Sequence, residues 1–364
     1  MKSFKKYAYV ICFILPPFAY LGFHLGGYFN FITPFLVFLI LPLLDIIVGK
    51  DSTNPKEDEV PGLQNERYYR YLTYCWAYLQ VGFVLWAVYS VVTTELLWHE
   101  LIGFTISVGV ITGGIGITVA HELGHKNTKL EQFLAKLILA TVCYMHFFIE
   151  HNRGHHVNVS THKDPASSRK GESFYRFYFR TVVGSYLGAW NIEKRRLEKK
   201  GFTVWNYRNE MLWYWVIQLG LVGVLFGVAS FLTGYPQWIV PIFFFAQAWI
   251  GFSLLELVNY IEHYGLKRKE IAPGKYERVL PIHSWNANQF VSNAFLFHLQ
   301  RHSDHHANAG RRYQSLRHFE ESPQMPAGYE VMILLALVPP LWRKVVDPKL
   351  EAWEKNTLKL ELEN

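Results

Sequence analysis

Cysteine is scarce in this chain of 364 residues: Cys12, Cys75 and Cys143 each sit in an apolar stretch, and no CxxC pair occurs. That excludes a disulfide framework and an iron–sulfur or rubredoxin-type site, so any electron donor has to be another chain. Positive charge is missing from three long intervals: no Lys or Arg lies between Lys6 and Lys50, between Arg70 and Lys126, or between Arg208 and Lys267. There is no internal repeat, low-complexity tract or long linker, which leaves residues 1–364 as a single unit. No nucleic-acid recognition module accompanies the net charge of +7, so nucleic acid is not an expected partner.

What is present is hydrocarbon. Half of the residues (51%) are hydrophobic and 17% aromatic, and six apolar runs reach the roughly 20 residues a helix needs to cross a bilayer. They cover about 7–29, 31–49, 72–94, 99–120, 211–233 and 236–260. The first is too long, and too close to the second, to read as a removable signal peptide. Each cation-free interval encloses one pair of runs, so the 36 Lys and Arg can all lie on one side. The positive-inside rule makes that side cytoplasmic, with both termini there. The expected fold is an all-α integral membrane protein: six transmembrane helices under a cytoplasmic cap formed by 161–210 and 264–330. Cations such as Lys194, Arg195, Arg196, Lys199 and Lys200 suit anionic headgroups or an acidic protein partner. A seventh apolar stretch, 132–149, keeps only 13 residues after Lys136 free of formal charge, too few to cross, and is expected as an interfacial or re-entrant helix. Val331–Val338 is shorter and reads as a surface-lying segment.

The cap and the helix ends carry histidine. His121 and His125 stand in HELGHK; His151, His155 and His156 in EHNRGHH; His302, His305 and His306 in RHSDHH; and His263 stands alone in NYIEHYG. Residues three or four apart share a helix face, so each tight group can aim two or three imidazoles at one point. A first-row ion takes roughly four to six ligands, so nine imidazoles suit two ions, one with four and one with five. HELGH also fits HExxH, the zinc-hydrolase pattern, but that reading leaves seven of the nine unexplained. All-nitrogen sites suit iron, copper, zinc or nickel. Two ions with open positions beside a bilayer point to redox work on a membrane-dissolved substrate, with iron and O₂ the natural pair. Metal transport is the competing class, although the histidines gather at one membrane face rather than along a path.

Acids accompany the groups. Glu122, Glu150, Glu262 and Asp304 neighbour the ligand candidates and Asp45 ends the second run; each is a candidate to hold an imidazole N–H, with a solvated helix end as the alternative. His283 and His298 are weaker candidates for the same supporting role. His24, His99 and His146 are left to packing. Gly113, Gly114 and Gly116 precede His121 and allow either close helix packing or an open channel, packing being the commoner role.

HELGHK, IEHNRGHH, NYIEHYG and LQRHSDHHA, followed by RRYQSLRHF, resemble the bacterial membrane-bound alkane hydroxylases, the non-haem di-iron alkane 1-monooxygenases. The likeness extends from LPLLD at 41–45 through ERYYR at 66–70 and PIHSWN at 281–286 to DPK at 347–349. It implies a six-helix enzyme of fatty-acid-desaturase/hydroxylase-like architecture in the bacterial inner membrane, with two irons held by the nine histidines. It also implies O₂ as cosubstrate, a linear alkane as substrate, and electrons from rubredoxin, itself reduced by an NADH-dependent rubredoxin reductase. Xylene monooxygenases, fatty-acid desaturases and fatty-acid hydroxylases share related histidine boxes; NYIEHYG and LQRHSDHH favour the alkane branch.

Overall fold

The computed structural model describes residues 2–363, with side chains from residue 5 to residue 356. Six of its helices are long and apolar enough to cross a membrane: Lys5–Leu25, Gly27–Val48, Val60–Thr93, Trp98–Gly124, Glu210–Thr233 and Ile239–His263, here spans 1 to 6. The expected runs coincide with them to within a few residues, apart from the start of span 3, with one consequential difference. Spans 4 and 6 continue past 120 and 260 through an acid and a histidine each. Hydropathy falls there because Glu122 and Glu262 are charged residue types, but both are buried in protein rather than facing lipid, so the helical ladder carries on.

Span 4 is the core of the bundle, with 83% of its apolar window buried, against 11% for span 5 at the periphery. Small residues bring its neighbours close. A Cβ at Gly113 would collide with the backbone of Gly251 on span 6, and one at Gly116 would strike the Gln80 side chain on span 3. Gly114, between them, would meet nothing within 4 Å. The three glycines therefore divide: two allow close packing and one faces open space. Buried amides pin the same layer. Gln80 Nε2 donates to Thr141 Oγ1 (2.8 Å) and Gln247 Nε2 to the Thr141 carbonyl (2.8 Å).

Thr141 ends a helix that the sequence suggested would run unbroken over 132–149. The helix covers only Lys129–Thr141, 13 residues or about 20 Å, well short of the roughly 30 Å of hydrocarbon. The chain then breaks at Cys143, whose φ is 51°, and resumes helically at Phe147. The break returns His151 to the end of the bundle where His125 lies, 3.0 Å away between their Nε2 atoms. Val331–Val338 also differs from expectation. Helix Tyr329–Ala336 is half sunk: Tyr329, Glu330, Met332, Ile333 and Ala336 are buried, because they face span 6 rather than the surface.

The cap combines helix Phe174–Glu198 with an irregular stretch from 264 to 328, in which short helices Phe290–Phe295 and His302–Ala307 are embedded. Side chains replace regular structure as its frame. Buried Arg301 donates to the carbonyls of Leu316 (2.7 Å), Asp51 (3.0 Å) and Thr53 (3.1 Å), tying the cap to the loop after span 2. Gly113→Val is expected to lower thermal stability in detergent by about 1–3 kcal/mol through separation of spans 4 and 6, while Gly114→Ala leaves it unchanged; equal effects would contradict this division of roles.

Candidate metal centre

Nine histidines from four segments converge at one end of the bundle. Their donor atoms form two groups, each with all donors within 4.8 Å of one another: His121, His125, His151, His156 and His305 in one, His155, His263, His302 and His306 in the other. Seven are buried, and His125 and His156 are half-buried. The sorting follows from helix geometry. His121 and His125 are one α-helical turn apart and stay together. Residues His151–His155 form a widened π turn, which bonds i to i+5 and so brings His156, not His155, alongside His151. His155 is thereby sent to the second group. In helix His302–Ala307 the pair four apart, His302 and His306, shares that second group, and His305 turns about 100° away to the first.

Within the first group the Nε2 atoms approach in series: His125 to His151 at 3.0 Å, His151 to His156 at 3.0 Å, His156 to His305 at 3.1 Å. The second repeats the pattern: His155 to His306 at 3.2 Å, His306 to His302 at 2.9 Å, His302 to His263 at 3.3 Å. Hydrogen bonds cannot satisfy such series, because each Nε2 either donates one proton or offers one lone pair, and the middle members would need two. Burial, reinforced by neighbouring imidazoles, pushes the pKa of His125, His151, His156, His302, His305 and His306 well below the ordinary histidine value, so these rings are neutral with lone pairs free. Donors at right angles around an ion with bonds of about 2.1 Å lie about 3.0 Å apart. The observed spacings of 2.9–3.3 Å therefore fit a first-row ion inside each group.

The supporting acids are distributed differently from expectation. Asp164, which sequence reasoning passed over, makes the contact the others were expected to make: its Oδ2 accepts from His155 Nδ1 at 2.9 Å, held in place by Ser167 Oγ (2.5 Å) and the Ala166 N–H (3.1 Å). Its only signal is an acid in the loop THKDPAS, which looks like any solvated loop residue. Glu262 reaches His302, but at Nε2 (3.1 Å), the side of the ring facing its group, rather than at Nδ1 behind it. Glu122 instead pairs with Lys126 (3.1 Å). Asp304 binds both Arg311 Nη1 (2.7 Å) and the Arg317 N–H (2.8 Å), fixing the cap behind the ligand helix. Glu150 is buried beside Asp164 and Glu256, and burial followed by those two charges raises its pKa well above the usual range. Asp45 caps helix Phe290–Phe295 and contacts no imidazole of the nine. His283 pairs with Glu277 (3.2 Å) and His298 with the Tyr9 hydroxyl (3.1 Å).

A cavity runs from the histidines into the bundle. His121, His151, His302 and Glu262 line one part, and Leu15, Val37, Val110, Gly114, Ile117 and Leu255 are among its apolar walls. Its volume is about 60 Å³.

Residues 96–335 match the family model described as fatty acid desaturase. The chain is 46% identical to alkane 1-monooxygenase 2 of Pseudomonas aeruginosa, over 97% of this chain and 94% of that protein. It is 43% identical to alkane 1-monooxygenase 2 of Alcanivorax borkumensis, over 98% and 94%. The hydroxylase component XylM of the xylene/toluene monooxygenase of Pseudomonas putida is more distant, at 30% over 92% and 86%. The chain, a membrane-spanning helical bundle with two histidine groups, thus belongs to the fatty acid desaturase family. Within that class the chain belongs to the alkane 1-monooxygenases, and is an oxidoreductase.

Asp164→Asn keeps the shape of the His155 support and removes its charge. Metal held by the four-histidine group is expected to be released at roughly 10–100-fold lower chelator concentration, that of the five-histidine group being retained. Release of both together, or no change, would contradict the assignment of Asp164.

Proposed function

We propose that this protein hydroxylates the terminal methyl group of linear alkanes, with O₂ as cosubstrate, at two irons: one held by His121, His125, His151, His156 and His305, the other by His155, His263, His302 and His306. The observation that carries the proposal is two groups of imidazole donors, at ion-fitting spacing, on a cavity with hydrocarbon walls. Iron bound there supplies the activation of O₂. Everything else falls to the chain.

The cavity selects and orients. An alkane dissolves in the bilayer core, and apolar walls cost it nothing to enter while excluding bulk water. The apolar walls take an alkane chain and the polar end, lined by His121 and His302, does not, so the end of the chain lies nearest those residues. Asp164 holds the His155 ring through its Nδ1, and the cap, fastened by Arg301 and Asp304, keeps the helix of His302, His305 and His306 in register. The three cysteines offer no redox centre, so the electrons come from a separate carrier, which we take to be rubredoxin reduced by an NADH-dependent reductase. The cation distribution favours the bacterial inner membrane with both termini and the histidine end cytoplasmic, where lipid headgroups and such a carrier both have access.

Purified protein supplied with reduced rubredoxin, O₂ and octane is expected to form 1-octanol with close to two irons per chain. An alkene would indicate a desaturase, and zinc without alcohol a hydrolase. Gly114→Leu projects a side chain into the cavity where none now stands, so it is expected to abolish turnover of long alkanes before short ones while iron content is kept; uniform loss over all chain lengths would argue against the cavity as the substrate path.

A further inference from the structure

Two buried carboxyl groups meet at one hydroxyl, and one of the two, Glu330, lines the cavity. Ser292 Oγ lies within hydrogen-bonding distance of Asp45 Oδ2 and, at 2.9 Å, of Glu330 Oε2. Asp45 comes from span 2, Ser292 from helix Phe290–Phe295 and Glu330 from helix Tyr329–Ala336; none is within two residues of the nine histidines. Gly328 makes the meeting possible, since a Cβ there would crowd Ser292 Oγ (2.8 Å) and both carboxyls (3.1 Å).

The geometry fixes a proton. A serine hydroxyl has one hydrogen to donate, so it can serve only one carboxylate; its other contact requires a carboxylic acid that donates to it. Asp45 Oδ1 already accepts the backbone N–H groups of Val291 (3.0 Å) and Ser292 (3.1 Å), which favour the anion. Glu330 is 3% exposed, and its Oε1 has no hydrogen-bond partner. The proton therefore sits on Glu330: its carboxyl donates to Ser292, and Ser292 donates to Asp45. Burial, with the Asp45 charge a smaller contribution, pushes the Glu330 pKa up to about 7. The titratable groups around it are Asp45, Tyr329 beside it, and Glu262, His121, His151 and His302 on the same cavity; no cation contributes to its titration.

Resting on the alkane hydroxylase reading, we propose that Glu330, with Ser292 and Asp45, carries protons to the oxygen reduction. In that reaction the O–O bond breaks, one oxygen enters a C–H bond as C–OH, and the other leaves as water. The water requires two electrons, from the reduced carrier protein, and two protons. A hydrocarbon cavity that excludes water also excludes its protons, and a neutral acid in its wall delivers them without flooding it. Each proton delivered is replaced by one taken up from solvent at the Asp45 carboxylate: Ser292 gives its hydrogen to Glu330 and receives the Asp45 proton in its place, and two such cycles supply the two protons of the water.

Glu330→Gln tests this, because the Gln amide can still donate to Ser292 and preserve the fold. Infrared difference spectra of the full-length protein between about pH 5 and 9 read the acid itself, independently of iron. The wild type is expected to show a carboxylic acid C=O band that titrates near neutrality and is missing from Glu330→Gln. With iron content unchanged, Glu330→Gln is expected to turn over at least about tenfold more slowly. The wild-type rate falls as pH rises through the Glu330 titration, and the variant's rate is flat there. A band that survives in Glu330→Gln, or a variant with wild-type rate and pH profile, overturns the proposal. A wild type that holds no iron and makes no alcohol overturns the parent reading, and the delivery role with it, whatever the band does.

Discussion

Neutral imidazole nitrogens at van der Waals separation or closer have nothing to offer one another beyond a single proton. In this protein six Nε2-to-Nε2 approaches of 2.9–3.3 Å are strung into two series, and burial pushes His125, His151, His156, His302, His305 and His306 away from the charged form. Only cations can satisfy so many inward lone pairs. The rest of the structure is the apparatus needed to hold that arrangement at the end of a membrane bundle: a central span whose last turn is polar but protein-covered, a broken helix that brings His151 back, and a cap braced by Arg301, Asp304 and Asp164.

Much of this could be read in the chain itself. Cation-free intervals marked the helical hairpins because charge is costly in hydrocarbon, and that constraint is local. The four histidine groups were evident for the same reason: i, i+3 and i+4 spacing is a property of one helix. A set of four and a set of five were expected, but which histidine belongs to which was not evident, since it depends on a π turn at 151–155 that sends His155 and His156 apart, and the sequence pattern is equally compatible with an ordinary α-helix there. Spans 4 and 6 were read short at 120 and 260, because hydropathy cannot distinguish an acid facing lipid from one buried in protein.

The supporting carboxylates were the least legible part. Glu122, Glu150, Glu262 and Asp304 were singled out by adjacency to histidine, but adjacent residues on a helix point about 100° apart and so seldom serve the same ring. Asp164, which does hold a histidine, comes from a loop, and loop placement depends on the whole cap. Asp45 was noticed for its position at the end of a span; its partners, Ser292 and Glu330, are nearly 250 residues or more away in the chain. Such long-range contacts carry no local signature.

The two halves of the site make opposite demands on water. Hydrocarbon substrate needs dry walls, whereas oxygen chemistry consumes protons. Separate polar clusters built into an apolar bore, rather than an aqueous channel, reconcile the two. The account rests most heavily on the division of the histidines, and locating the metal by anomalous scattering at the iron absorption edge tests it directly. Two iron peaks are predicted, one inside the set of His121, His125, His151, His156 and His305 and one inside the set of His155, His263, His302 and His306; a single peak, or an iron outside these sets, would contradict it.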